Sequence, residues 1–95
     1  MMKMFVIVYS SSCDDSVMEA ITRGGIKAYT KWGRVLGKGT ETRPKLTFSQ
    51  GDNDVLSIVV DDKDAKKLKE IVVNLRKENP IAGIRCFIMP VEEMI

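Results

Sequence analysis

Histidine is absent from the 95 residues, and cysteine occurs only twice. The first absence excludes Ser-His-Asp and Cys-His catalysis, imidazole-ligated metal and a histidine pH switch. The second excludes a dense disulfide framework and points to a cytoplasmic setting. No apolar run approaches the roughly 18–20 residues of a membrane helix, so no membrane insertion is expected. The opening MMKMFVIVYSSS is too short and too weakly basic for a signal peptide. Aromatic residues are only 6% of the chain, and no helix-turn-helix, RNA-binding or zinc pattern occurs. Nothing resembles a catalytic acid/base pair, so no catalytic residues and no enzyme activity are expected.

What is present describes one small α+β domain over residues 1–95. Apolar residues make up 44% and charged residues 29%, a globular profile. A chain this short buries only about 60–65% of its unfolded surface, so association would help it. The net charge of +2 is unevenly placed: residues 23–45 hold seven bases against Glu41 alone. The same segment holds Gly24, Gly25, Gly33, Gly37 and Gly39. A glycine-rich cationic segment suits an anionic ligand or an acidic protein partner. The plainer alternative is a solvated loop whose charges aid solubility.

Residues 3–9, KMFVIVY, are β-branched and aromatic and predict a strand. Ser12 or Asp14 can cap a helix in which Val17, Met18 and Ile21 give the spacing, with Gly24–Gly25 as its stop. Residues 26–36 predict a second strand, 37–54 a loop, and Val55–Val60 a third strand. Asp61, Asp62 and Asp64 load the start of a second helix. Its stripe is Ala65, Leu68, Ile71, Val72 and Leu75, and its lysines, Arg76 and Lys77 form a solvated face. Ile84–Met89 predicts a fourth strand. The order βαββαβ predicts a ferredoxin-like sandwich, an antiparallel four-stranded sheet ordered 4-1-3-2 or 4-1-2-3 with both helices on one face. The first strand is apolar on both sides, yet the helices cover only one. Either Met4, Val6 and Val8 or Phe5, Ile7 and Tyr9 is left for self-association.

Several short matches lie in a fixed order: the MKMFVIV-type opening, Asp14–Asp15 with Ala20, Gly25–Ile26, the stretch Lys31–Glu41, and Phe87, Val91, Glu92 and Ile95. In this order the chain resembles the PII family of signalling proteins, over nearly its whole length. The resemblance implies a homotrimer with inward-facing sheets and small effectors in clefts between chains. It also implies a T-loop, here about 37–54, that contacts a regulated enzyme or transporter. The family's phosphate loop reads like Thr-Gly-x-x-Gly-Asp-Gly-Lys; Asn79–Arg85 keeps a glycine, Gly83, and a base, Arg85. Residues 37–54 contain no tyrosine for nucleotidylation. The resemblance therefore implies a divergent member, with a nucleotide or another small anion as effector. The ligand-binding candidates are Arg34, Gly37, Lys38, Gly39, Gly83 and Arg85. The partner-binding candidates are Thr40, Glu41, Arg43 and Lys45.

Two other functions are weighed beside this one. A CutA-like protein binding divalent metal would have to use Cys13, Asp14 and Asp15, although two acids at a helix start ordinarily serve its dipole. A nucleic-acid-binding module is permitted by a pI near 8.6, but the low aromatic content argues against it. Cys13 at a helix start is either an activated thiol or an ordinary cysteine, and Cys86 in an apolar strand reads as core. Trp32 reads as a strand residue that packs on a neighbouring chain.

Overall fold

Strand β1 (Met2–Ser10) carries β-branched and aromatic side chains without an interior glycine or proline. A 3-10 turn (Ser11–Cys13) leads into helix α1 (Asp14–Arg23). Strands β2 (Thr30–Leu36) and β3 (Asp52–Asp61), helix α2 (Asp62–Glu78) and strand β4 (Arg85–Pro90) follow. The computed structural model describes residues 1–37 and 52–95. The four strands form one sheet in the order β2-β3-β1-β4, each pair antiparallel. This is the ferredoxin-like arrangement predicted from the element order, in the 4-1-3-2 variant.

The two sides of β1 are separated by burial. Phe5, Ile7 and Tyr9 are buried beneath the helices, together with Leu56, Ile58 and Val60 of β3. Val17 and Ile21 of α1 and Ala65, Leu68, Val72 and Leu75 of α2 complete that core. Each large side chain so buried contributes about 1.5–3 kcal/mol. Met4, Val6 and Val8 lie on the other face and are half-buried. Cross-strand pairing adds Val55, Val59, Phe87, Met89 and Trp32 to this open face. Phe87 and Trp32 remain 55% and 50% exposed.

Strand β3 runs into α2 without a loop. Asp61 ends the strand and caps the helix, its carboxylate accepting the Asp64 N–H at 2.9 Å. Asp62 and Asp64 lie in the first turn behind it, at the positive end of the helix. Helix α1 differs from expectation: neither Ser12 nor Asp14 caps it, and Cys13 holds the N-cap position without a side-chain bond. The intervening 3-10 turn moves the serines out of capping register, and Ser12 instead meets Ser10 at 2.9 Å. Strand β2 begins at Thr30 rather than at residue 26. The chain there is still completing the helix stop, with Gly25 at φ 81° and the Ile26 N–H on the Ile21 carbonyl. Asp52–Asp54, expected in the loop, belong to β3.

Candidate functional site

Strand β2 carries a bulge. Trp32 pairs with Val55 and Val35 with Asn53, so Gly33 and Arg34 stand together against Asp54. Asp54 continues the inward phase of Leu56, Ile58 and Val60, and is buried at the end of the core. Its carboxylate is well supplied with donors. Oδ1 accepts the Ser11 hydroxyl at 2.7 Å and the Arg34 backbone N–H at 2.9 Å. The Lys31 ammonium lies 3.7 Å from Oδ2.

Lys31 also donates to Asp14 at 2.6 Å, and the Tyr9 hydroxyl donates to the other oxygen of Asp14 at 2.6 Å. Five elements thus meet in one polar cluster: the end of β1, the 3-10 turn, α1, β2 and β3. Burial pushes the Asp54 carboxyl up, but the bonds from Arg34 and Ser11 and the Lys31 charge outweigh it and hold the group below its ordinary range. Burial first, and then the bond to Asp14, raises the Tyr9 phenol and keeps it protonated. The bond to Asp14 is the main reason that Lys31 is held charged above its ordinary range.

The turn before β4 lies at the same end of the sheet, because the Ser10 N–H donates to the Ala82 carbonyl at 2.9 Å. Gly83 takes φ 64°, a conformation that suits glycine. A groove of about 480 Å³ runs beside this turn, lined by Val73, Arg76, Lys77, Asn79, Pro80, Gly83, Ile84 and Arg85. Three of the lining residues are cationic.

Of the candidates named from sequence, Gly83 and Arg85 are together in this groove, while Arg34 and Gly37 stand at the far edge of the sheet. One row of paired residues crosses the sheet as Arg85, Val8, Val55 and Trp32. Its ends are three strand spacings apart, about 14 Å. Within one chain, therefore, Arg34 and Arg85 are not brought together. Lys38, Gly39, Thr40, Glu41, Arg43 and Lys45 lie outside the described residues. Sequence reasoning missed Asp54, Ser11, Arg76 and Lys77. The signal for Asp54 was available, since stepping back by two from Leu56 places an acid on the inner face. Cys13 and Cys86 are both free thiols, and burial pushes Cys86 up to about 11. Among the described residues, no group of three or more Cys, Asp or Glu is placed to hold a metal ion. No described helix is long and apolar enough to cross a membrane.

The family model of nitrogen regulatory protein P-II matches residues 2–95. The chain belongs to the P-II family. Solved structures agree with the P-II fold. A protein of Thermus thermophilus, described as PII-like and signalling, is 23% identical with a TM-score of 0.66, over 95% of this chain and 86% of that one. The CPII protein of Thiomonas intermedia, solved with ADP and bicarbonate, is 17% identical with a TM-score of 0.69, over 92% and 82%. The same protein with ADP, AMP and acetate is 14% identical with a TM-score of 0.74, over 99% and 89%. No curated protein matches the chain significantly.

Proposed function

We propose that this P-II family member is a cytoplasmic signalling protein without catalytic activity. It binds a small anionic effector, a nucleotide or another small anion, in clefts between the copies of a homotrimer. It acts on a partner protein, an enzyme or transporter, through the segment that follows β2. The effector is held by Arg34, Gly37, Lys38 and Gly39 from one side and by Gly83 and Arg85 from the other. Thr40, Glu41, Arg43 and Lys45 meet the partner.

The observation that carries this reading is the placement of the two cationic landmarks. Arg34 and Arg85 belong to opposite edges of one sheet whose open face is apolar. One chain cannot close both around a small anion. Packing that face against other copies brings the β2 edge of one chain toward the β4 edge of the next. CPII binding ADP, AMP and bicarbonate supports the class of effector.

The test is thermal unfolding with ADP, AMP, ATP, bicarbonate and 2-oxoglutarate, each in turn, with divalent metals and oligonucleotides as the competing classes. Ligand at 100 times its Kd stabilises by about 2.7 kcal/mol. For a domain of this size that raises Tm by roughly 10–20 °C. Lys38→Ala and Arg85→Ala should each reduce the shift, and more so at low salt. A shift with metal or oligonucleotide alone overturns the reading.

A further inference from the structure

The bulge holds a backbone conformation that its residue type disfavours. Arg34 has φ 53°, in the left-handed region where an L-residue crowds its own carbonyl. Asp54 supplies the compensating contact, and the same oxygen that accepts Arg34 N–H accepts Ser11. Asp54 is 5% exposed, so the acceptor side of both bonds is shielded from bulk water. Ser11 follows Ser10, whose N–H is bonded to the Ala82 carbonyl in the turn that leads to Arg85. A bonded connection thus runs from the β2 bulge to the turn before β4.

We propose that Asp54 is a positioning residue for the effector site. Its carboxylate fixes the bulge, so that the Arg34 backbone is held in one conformation at the β2 edge, the edge this chain contributes to a cleft. The inference rests on the proposed function, because the anion is what Arg34 is positioned for. A cation held in place before the ligand arrives loses less freedom on binding it, which favours affinity. Asp54 itself touches no ligand.

Two measurements on the full chain test this. The first needs no ligand: hydrogen exchange of the Arg34 amide. It should be protected in the unchanged protein and in Asp54→Asn, whose side-chain oxygen still accepts. It should exchange at least about tenfold faster in Asp54→Ala or, if that variant does not fold, in the smaller polar variant Asp54→Ser. The second is calorimetric titration with ADP as the probe. Asp54→Asn should bind within about threefold of the unchanged protein, and Asp54→Ala about tenfold or more weakly. In the Arg34→Gly background, where the backbone needs no help and the guanidinium is gone, Asp54→Ala should weaken binding no further.

Losses that multiply in the double variant overturn the positioning role. So does unchanged ADP affinity in a folded Asp54→Ala with a fast Arg34 amide. A fast Arg34 amide in the unchanged protein overturns the clamp. An unchanged protein that binds no ADP while its Arg34 amide is protected overturns the effector site and leaves the clamp standing.

Discussion

A glutamate at Val6 should take the proposed homotrimer apart while leaving the fold intact. Val6 stands at the centre of the open face, between Ser57 and Phe87. Eight apolar side chains share that face, namely Met4, Val6, Val8, Trp32, Val55, Val59, Phe87 and Met89. Phe87, Trp32 and Met89 are 55%, 50% and 37% exposed, and the other five are more fully covered within one chain. Complete burial of such a side chain is worth roughly 1.5–3 kcal/mol, so covering the roughly two to three side chains' worth of surface still open makes about 3–9 kcal/mol per chain available. Association itself costs about 4–15 kcal/mol, so the balance is narrow. An unpaired charge trapped in the interface costs about 3–5 kcal/mol in each copy. At 1.4 kcal/mol per decade, Val6→Glu should raise the dissociation constant by roughly two to three powers of ten or more. Light scattering during gel filtration at micromolar concentration should give three times the 10.7 kDa chain mass for the unchanged protein and one chain mass for the variant. Circular dichroism should show that the variant still melts cooperatively. Ile7→Ala is the control on the opposite face, where the side chain is wholly buried. It should cost about 2–5 kcal/mol and lower Tm by about 10 °C or more, whatever the oligomeric state. A variant with Glu at 6 that keeps the full mass would refute the reasoning, as would an unchanged protein with the mass of one chain.

Further outcomes are expected from other parts of the molecule. Asp61→Ala removes the cap of α2 and should cost about 1 kcal/mol in urea unfolding, with Asp61→Asn close to neutral. Asp54 has a folded pKa below its unfolded value of 3.8, so the stability it contributes is complete above that value and is lost as pH falls through the folded pKa. Its neighbours in that titration are Asp14, Lys31 and Tyr9. Urea midpoints measured from pH 6 down to 2.5 should fall more steeply below about pH 4 in the unchanged protein than in Asp54→Asn. Cys86, pushed up to about 11, should be a thiolate in only about one molecule in a thousand at pH 8. It should resist alkylation until urea unfolds the chain, and rapid labelling of Cys86 in native protein would count against its burial.

The parts of the fold that could be read in the sequence are those set by local periodicity. The two apolar sides of β1, the stripe Ala65-Leu68-Val72-Leu75 and the acids around Asp61 each follow from neighbours along the chain. The features that escaped depend on residues remote in sequence. Asp54 looked like loop composition beside Asp52 and Asn53, because its partners Ser11, Lys31 and Arg34 are between 20 and 43 positions away. The bulge at Gly33–Arg34 leaves no mark in a pattern of alternation except to shift it by one. The start of α1 is not legible in the sequence because a 3-10 turn and an α-helix begin with the same residue types. The open groove at the end of α2 is invisible to a helical wheel, which correctly assigns Arg76 and Lys77 to the polar side. It cannot know that the turn before β4 folds back beside them.

The two ends of β1 have different neighbours. At one end the Met2 carbonyl accepts the Val91 N–H, and the Met1 amino group lies beside Asp62. At the other end stand Tyr9, Ser11 and Asp54. Seven residue steps of extended chain separate Met2 from Tyr9, about 23 Å. A dye, an affinity tag or a surface tether joined near residue 1 or residue 91 would therefore stand at the opposite pole from the bulge and the Ala82 turn. Immobilised through that pole, the protein would present the Asp54 cluster and the Ala82 turn to solution. A donor and acceptor dye attached near those two residues would remain close together in the folded chain and separate only on unfolding.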